Sequence, residues 1–213
     1  MLKKMNLPNK LTMLRIILVP VFIICLCMPQ VFEWFKIENT QTVMGIIALI
    51  VFVVAAITDC LDGRISRKQN IVTKFGKIMD PLADKLLVSS GFIMLTGLGV
   101  VPAFVTAIVV FRDFFVNALR MFGSDKSKDV AAGLSGKVKT LFQMLAITFG
   151  LLSYIIAPSY GMFGFIEQSL YMGTAELLLN ISMSVTVLIT VIATLWSFVD
   201  YFKRFKDDID VEN

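Results

Sequence analysis

Long apolar segments separated by short polar ones run through the whole chain. Six of them stand out, at about 11–29, 43–61, 78–100, 102–122, 138–158 and 176–201. A mostly apolar stretch of roughly 18 to 25 residues is long enough to cross a bilayer as a helix. The pattern predicts an all-α polytopic membrane protein with six transmembrane helices. We expect a single membrane domain over 1–213, with a short N-terminal interfacial segment (1–10) and a polar C-terminal tail (203–213).

The composition and the placement of charge agree with this class. A hydrophobic fraction of 57% is too high for an ordinary soluble domain. Of the 20 lysines and arginines, only Lys36 falls in a loop predicted to be external. The positive-inside rule therefore places both termini, and the loops after the second and fourth spans, in the cytoplasm. The net charge of +4 is explained by this topology and by anionic lipid headgroups, so no nucleic-acid partner is expected.

Four carboxylates lie at the facing ends of the second and third apolar segments, where a membrane protein avoids charge. Asp59 and Asp62 are three residues apart, and Asp80 and Asp84 are four apart, so each pair shares one face of a helix. If the two segments form a hairpin, both pairs meet at one depth near the cytoplasmic surface. Like charges this close need a counter-ion, and carboxylate oxygens suit Mg²⁺ or Mn²⁺. The pattern therefore predicts a metal site.

Basic residues and glycines surround these acids. The basic ones are Arg64, Arg67, Lys68, Lys74 and Lys77. Taken alone, they are better explained by membrane topology, and a lone aspartate near a helix end is usually a cap or a solvated residue. Four acids, with each pair on one helix face, make caps or solvated residues an improbable explanation. Acids, a metal and basic residues together are the combination used on phosphate groups. The chain has no histidine, so a catalytic base must be a carboxylate, a lysine or a tyrosine.

One long motif joins the two acidic pairs. It reads D-x-x-D-G-x-x-S-R, eight residues, then G-x-x-x-D-x-x-x-D, and its fixed positions are Asp59, Asp62, Gly63, Ser66, Arg67, Gly76, Asp80 and Asp84. It resembles the signature of the CDP-alcohol phosphotransferases and differs only at Ser66, where that family has alanine. The resemblance implies a six-helix membrane enzyme that transfers a phosphatidyl or similar group from a CDP-linked donor to an alcohol and releases CMP. It also suggests a homodimer.

The resemblance assigns roles position by position. It implies that the metal ligands, for two ions, are Asp59, Asp62, Asp80 and Asp84. It implies a CDP pocket that contains Asp59, Asp62, Gly63, Arg67, Gly76 and Thr12. The catalytic candidates are Asp80 and Asp84. Asp84 is either a ligand of the second metal or the base that takes the proton of the acceptor hydroxyl.

Four segments, one of which overlaps the end of the motif, resemble those members of the family that use CDP-diacylglycerol as donor and sn-glycerol 3-phosphate as acceptor. They are 6–15, 80–87, 111–120 and 136–144. A dianionic acceptor needs fixed positive charge. The candidates for binding its phosphate are Arg112, Lys137, Lys139 and Arg120. Asp113 stands where these relatives have glutamate. Because Asp113 should point to another side of the helix than Arg112, Arg112 is expected to have a different partner.

Several alternatives stay open. The acceptor could instead be serine, inositol phosphate or phosphatidylglycerol, although the lysines of 136–140 argue against serine, which carries no phosphate. A divalent-cation transporter is a remote alternative, because acidic clusters also mark ion paths. Transporter sites, however, lie near the bilayer midplane, often between inverted repeats. An inactive protein of the same fold is disfavoured, since every acid is present. We expect a multi-pass protein of the cell membrane with its active site facing the cytoplasm.

Overall fold

A computed structural model of the chain describes residues 7–34, 40–69, 74–124, 134–156 and 173–209. Within these ranges the chain forms six α-helices and no strand. They are α1 (Leu7–Trp34), α2 (Thr40–Gln69), α3 (Lys74–Gly97), α4 (Ala103–Ser124), α5 (Leu134–Ile156) and α6 (Thr174–Ile209). The prediction of an all-α protein with one helix on each apolar segment is confirmed.

Four of these helices are long and apolar enough to cross a membrane. Among the described residues, the stretches with the required length and hydropathy are Asn9–Phe32, Thr40–Asp59, Val138–Ile156 and Thr174–Lys203. A helix suits a lipid environment because its backbone N–H and C=O groups are satisfied within the segment. Large apolar side chains on the outer surface, including Ile17, Ile24, Ile192 and Trp196, are more than half exposed. The count of six spans and the orientation of the termini stay predictions.

The helices extend past the apolar segments into polar sequence. α2 continues beyond Asp59 to Gln69, and α3 begins at Lys74, so most of the basic stretch predicted as the second loop is helical. That prediction was wrong. The tail predicted at 203–213 is likewise helical as far as Ile209. Hydropathy marks where a segment stops being apolar, but arginine and lysine are good helix formers, and an established helix propagates readily.

The N-terminal part of α1 also differs from the expectation of a separate interfacial segment. α1 begins at Leu7, so the end of the predicted segment 1–10 belongs to the first long helix. Residues 1–6 lie outside the described residues. An external loop is predicted over 157–175, and its residues 157–172 also lie outside the described residues. α1 also passes through Pro20 and Pro29 without ending.

The turn between α3 and α4 is fixed by a glycine and by two backbone hydrogen bonds. Gly99 has a φ of 74°, a left-handed conformation that favours glycine. The N–H of Val100 donates to the carbonyl of Leu95 (2.9 Å), and the N–H of Gly99 donates to the carbonyl of Thr96 (3.0 Å). This pair of bonds is the Schellman motif that closes a helix C-terminus. The hydroxyl groups of Thr96 and Thr106 lie 2.6 Å apart and join the two helices. The short uncharged stretch 96–102 between the two apolar segments predicts a tight connection, and this prediction is confirmed.

The two helices that carry the acids are joined mainly through their neighbours. α1 packs along α2 and against α3, and α5 packs against α6, α2 and α3, whereas α2 and α3 touch each other only slightly. Among the described residues, the hairpin considered for the second and third segments is therefore not a closely packed pair. A core of buried apolar residues, including Phe22, Phe52 and Phe92, runs between the helices. The loose α2–α3 contact leaves room for a cavity at their acidic ends.

Two glycines allow α3 and α5 to approach closely. A Cβ atom added to Gly91 would lie 2.7 Å from Cδ1 of Ile147, and one added to Gly150 would lie 2.7 Å from Cδ1 of Leu95. Both isoleucine and leucine are fully buried, so neither side chain has free space to move into. The close contact of the two helices therefore depends on the absence of side chains at these positions.

We expect Gly91→Val to lower the free energy of unfolding by about 1–3 kcal/mol, the usual cost of overpacking a core. Gly97→Val is the matched control, because a Cβ atom at Gly97 has nothing within 4 Å. The control should change stability by no more than about 0.5 kcal/mol. Thermal unfolding of both purified variants in the same detergent measures the difference. Equal melting temperatures would contradict the close α3–α5 contact.

Candidate active site

A cavity of about 450 Å³ lies between α2, α3, α4 and α5. Helices that are far apart in sequence each supply part of its wall. The charged and amide side chains that it brings together include Asp59, Asp84, Arg112, Asp113, Lys139 and Gln143. The cavity therefore contains predicted metal ligands and predicted phosphate-binding residues at one place.

The carboxylate of Asp84 is the most unusual group in the cavity wall. Its Oδ1 atom is buried and has no hydrogen-bond partner among the described residues. Its charge is repelled by Asp59 and Asp113 and attracted by Arg15 and Lys139. A buried carboxylate oxygen without a donor is costly. The arrangement of Asp84 and Asp59 on one cavity therefore fits a bound cation, and oxygen ligands are those that Mg²⁺ and Mn²⁺ prefer.

The other members of the predicted acidic set belong to the same helices. Asp62 lies in α2 one turn after Asp59, and Asp80 lies in α3 one turn before Asp84. The side chains of Asp62 and Asp80 lie outside the described residues, as do those of Arg67 and of the segments around Gly63 and Gly76. Among the described side chains, no group of three or more His, Cys, Asp or Glu residues comes together. The four-aspartate metal site therefore stays a prediction.

A buried arginine on α1, Arg15, lies beside the acids and was not among the residues predicted for the site. Nη1 of Arg15 lies 2.8 Å from Oδ1 of Asp59, and the arginine side chain is 1% exposed. None of the three guanidinium nitrogens makes a well-directed hydrogen bond with a described residue, so the contact between Arg15 and Asp59 is an electrostatic ion pair. Thr12, predicted in the CDP pocket, is fully buried one turn earlier on α1. The signal that could have identified Arg15 is its position inside an apolar segment, where an unpaired arginine is costly.

The basic side of the cavity is a cluster of three buried charges. Nζ of Lys139 donates to Oδ1 of Asp113, and Nη1 of Arg112 lies 3.2 Å from the same oxygen. The prediction that Asp113 points away from Arg112 was wrong. Adjacent residues start on different sides of a helix, but the long arginine side chain folds back to reach its neighbour. Two cations share one carboxylate, so the cluster has an excess of positive charge.

The further partner expected for Arg112 lies on α6. Nη2 of Arg112 donates to the hydroxyl of Ser197, and the guanidinium group lies 5.5 Å from the centre of the Tyr201 ring. That distance is typical of a cation–π contact. Ser197 and Tyr201 were not sequence candidates, because they belong to no motif and only helix packing brings them to the site. The side chains of Lys137 and Arg120 lie outside the described residues.

Comparison with known proteins agrees with the geometry of this site. A family model described as CDP-alcohol phosphatidyltransferase matches residues 5–199. The chain belongs to the CDP-alcohol phosphatidyltransferase family. The resemblance inferred from the aspartate motif is thereby confirmed.

Curated relatives within this family carry a more specific name. The chain is 41% identical over 146 residues to the CDP-diacylglycerol–glycerol-3-phosphate 3-phosphatidyltransferase of Bacillus subtilis, covering 67% of the chain and 75% of the relative. It is 39% identical over 143 residues to the Rickettsia felis protein of the same name, covering 67% and 73%. It is 36% identical over 142 residues to a probable phosphatidylglycerophosphate synthase of Mycobacterium tuberculosis, covering 67% and 64%.

Membership of the CDP-alcohol phosphatidyltransferase family makes the protein a transferase of phospholipid biosynthesis with membrane helices. The acidic cluster alone left both an enzyme and a transporter possible, and family membership decides in favour of the enzyme. The cavity is the place in the described structure where motif residues from α2 and α3 face cationic residues from α4 and α5. It is therefore the candidate active site.

Proposed function

We propose that the protein transfers a phosphatidyl group from CDP-diacylglycerol to sn-glycerol 3-phosphate, giving phosphatidylglycerophosphate and CMP, in a metal-dependent reaction. The observation that carries this proposal is the single cavity, with Asp59 and Asp84 on one side and Arg112 and Lys139 on the other. A metal-bound diphosphate suits the first side and an anionic acceptor suits the second. The names of the relatives support the same choice of donor and acceptor.

The acids are proposed to hold Mg²⁺ or Mn²⁺, as two ions. The ligands would be Asp59, Asp62, Asp80 and Asp84. The buried, unpartnered Oδ1 of Asp84 and the oxygen-only donor set fit such ions. When bound, they would neutralise charge on the diphosphate and on the leaving CMP.

The chain's own residues would bind the donor and move one proton. The family resemblance assigns the CDP group to a pocket with Thr12, Gly63, Arg67 and Gly76. The acceptor hydroxyl oxygen would attack the phosphorus that carries the diacylglycerol, and the bond to CMP would break. Asp84 is proposed to take the proton of that hydroxyl, since its buried Oδ1 accepts no hydrogen bond from a described residue. Asp80, one turn away, is the second catalytic candidate.

The excess positive charge of the basic cluster supports an acceptor that carries a phosphate. Arg112 and Lys139 are buried, and both contact the carboxylate of Asp113, so these three side chains together carry a net positive charge. A phosphate dianion entering the cavity would complete their neutralisation and form charge-assisted hydrogen bonds with both. Lys137 and Arg120 are proposed to add to the same site. Serine offers a single carboxylate together with a positively charged ammonium group, so its fit to this side of the cavity is poorer.

The membrane topology belongs to the same proposal. Six spans with both termini in the cytoplasm would place the cavity at the cytoplasmic side of the cell membrane, as the distribution of lysine and arginine predicts. The acyl chains of the donor could then stay in the inner leaflet while the CDP headgroup enters between the helices. A homodimer is proposed from the family resemblance.

Release of CMP by the purified protein in detergent tests the proposal. We expect CMP with CDP-diacylglycerol, Mg²⁺ or Mn²⁺ and glycerol 3-phosphate, and none after addition of EDTA. Serine and inositol 1-phosphate, offered separately, should give far less. CMP release with one of these instead of glycerol 3-phosphate would keep the chemistry but overturn the acceptor. No release with any acceptor and either metal, from folded protein, would overturn the proposed donor.

A further inference from the structure

The side-chain amide of Gln143 has a nitrogen that the described protein does not satisfy. Gln143 is 1% exposed, and its Nε2 atom is buried without a hydrogen-bond partner. The residue nevertheless lines the cavity. A buried donor without an acceptor is unfavourable, and such groups are rare unless they have a role. An apolar residue of the same length would avoid this cost, so the amide points to an oxygen atom of a ligand.

The position of Gln143 indicates which ligand this is. Gln143 follows Lys139 by four residues on α5, so the two side chains lie on one face, about 6 Å apart. Lys139 and Arg112 form the part of the cavity that suits the acceptor phosphate. The hydroxyl of Thr140 is committed to the carbonyl of Gly136 (3.0 Å), which leaves the amide of Gln143 as a free donor beside Lys139.

Glycerol 3-phosphate has a hydroxyl group at the corresponding place. Its C2 hydroxyl lies between the carbon that bears the phosphate and the carbon whose hydroxyl attacks the donor. With the phosphate at Arg112 and Lys139, and the attacking hydroxyl directed towards Asp84, the C2 hydroxyl is the acceptor oxygen left for the amide of Gln143.

We propose that Gln143 donates a hydrogen bond to the C2 hydroxyl of the acceptor, and so selects glycerol 3-phosphate over phosphorylated alcohols that lack this hydroxyl. The inference rests on the proposed function and extends it to a specificity-determining residue. A site that hydrogen-bonds a substrate hydroxyl discriminates against the analogue without it, because the protein group is then left unpaired.

The test compares two acceptors with wild-type protein and two variants. 3-Hydroxypropyl phosphate has the same phosphate and the same primary hydroxyl as glycerol 3-phosphate but no C2 hydroxyl. We expect the wild type to prefer glycerol 3-phosphate by about tenfold or more in kcat/KM. Gln143→Leu and Gln143→Met should lower kcat/KM for glycerol 3-phosphate by about tenfold, mainly through the acceptor KM, and change the value for the analogue by less than about twofold.

Thr148→Val is the matched control. It also removes a polar group from α5, but the hydroxyl of Thr148 donates within the helix to the carbonyl of Met144 (2.8 Å) and does not line the cavity. It should leave the preference between the two acceptors unchanged. Both Gln143 variants should keep the melting temperature of the wild type, because they remove a donor that has no partner among the described residues.

Four results would overturn the inference. The first is an equal loss of kcat/KM for both acceptors in the Gln143 variants, and the second is a raised KM for CDP-diacylglycerol with an unchanged acceptor KM. The third is a wild type that does not prefer glycerol 3-phosphate over the analogue. The fourth is unfolding of both variants, which would show a structural role. If the wild type transfers to neither phosphorylated acceptor, the proposed function fails together with the inference. If it transfers well to glycerol 3-phosphate and the Gln143 variants keep the preference, only the inference fails.

Discussion

Asp84→Asn is expected to lower kcat for CMP release by a factor between about 10² and 10⁴. The amide keeps the size of the carboxyl group but loses its charge and its ability to take a proton. Oδ1 of Asp84 is buried, faces the cavity and has no hydrogen bond within the described protein, so its charge is available for metal and substrate. The change is measured as CMP released per enzyme at saturating CDP-diacylglycerol, glycerol 3-phosphate and Mg²⁺.

Glu176→Gln is the matched control for this prediction. It makes the same acid-to-amide change in the first turn of α6, where Glu176 accepts a hydrogen bond from the N–H of Gly173 (3.3 Å). Along α6, Glu176 lies about 32 Å from Ser197, the residue whose hydroxyl contacts Arg112 in the cavity wall. The control should keep most of the activity of the wild type. An Asp84→Asn variant with more than about a tenth of the wild-type kcat would exclude Asp84 as the essential base or metal ligand.

Arg15→Met is expected to lower activity by about 10- to 100-fold, the usual effect of losing a group that orients a metal ligand. It should also lower the melting temperature in EDTA by about 5 °C. Arg15 holds Asp59 at 2.8 Å and also attracts Asp84, so without it the two carboxylates repel each other. A bound divalent cation would supply the missing positive charge. Adding Mg²⁺ should therefore raise the melting temperature of the variant by more than that of the wild type.

Arg15→Lys separates the charge of Arg15 from its shape. Lysine keeps one positive charge close to Asp59, so most of the metal-free stability should return, whereas activity should recover only in part because the planar guanidinium group is lost. Thermal unfolding with EDTA and with Mg²⁺ measures the first effect, and CMP release measures the second. If wild type and Arg15→Met unfold at the same temperature in EDTA, Arg15 is not the counter-ion of the acids.

The features that the sequence predicted are those set by local pattern. The apolar segments located the six described helices, and the short uncharged stretch 96–102 located the α3–α4 turn, where Gly99 takes its left-handed conformation. The spacing of Asp59 and Asp84 within the motif identified two acids that line one cavity. Each of these follows from residues close together in the chain. The helix ends were missed because hydropathy alone does not separate a charged helix from a charged loop.

The features that the sequence did not predict are contacts between distant residues. The ion pair of Arg15 and Asp59 joins α1 to α2, and the contact of Lys139 with Asp113 joins α5 to α4. Which side chains meet across such distances depends on how the helices pack and rotate, and an apolar segment carries little information about rotation. From the sequence, Arg15 was therefore counted among the basic residues that set the membrane topology, and Asp113 was predicted to point away from Arg112.

The last helix has a consequence for how related chains are compared and shortened. The signature motif ends at Asp84, yet the groups that hold Arg112 in place, Ser197 and Tyr201, belong to α6. A protein cut before Ser197 would retain every motif position and still lack the two side chains that hold Arg112 in the cavity wall. Fusion points and truncations are therefore best placed after Tyr201, and possession of the motif alone is a poor guide to whether a shortened homologue keeps its choice of alcohol.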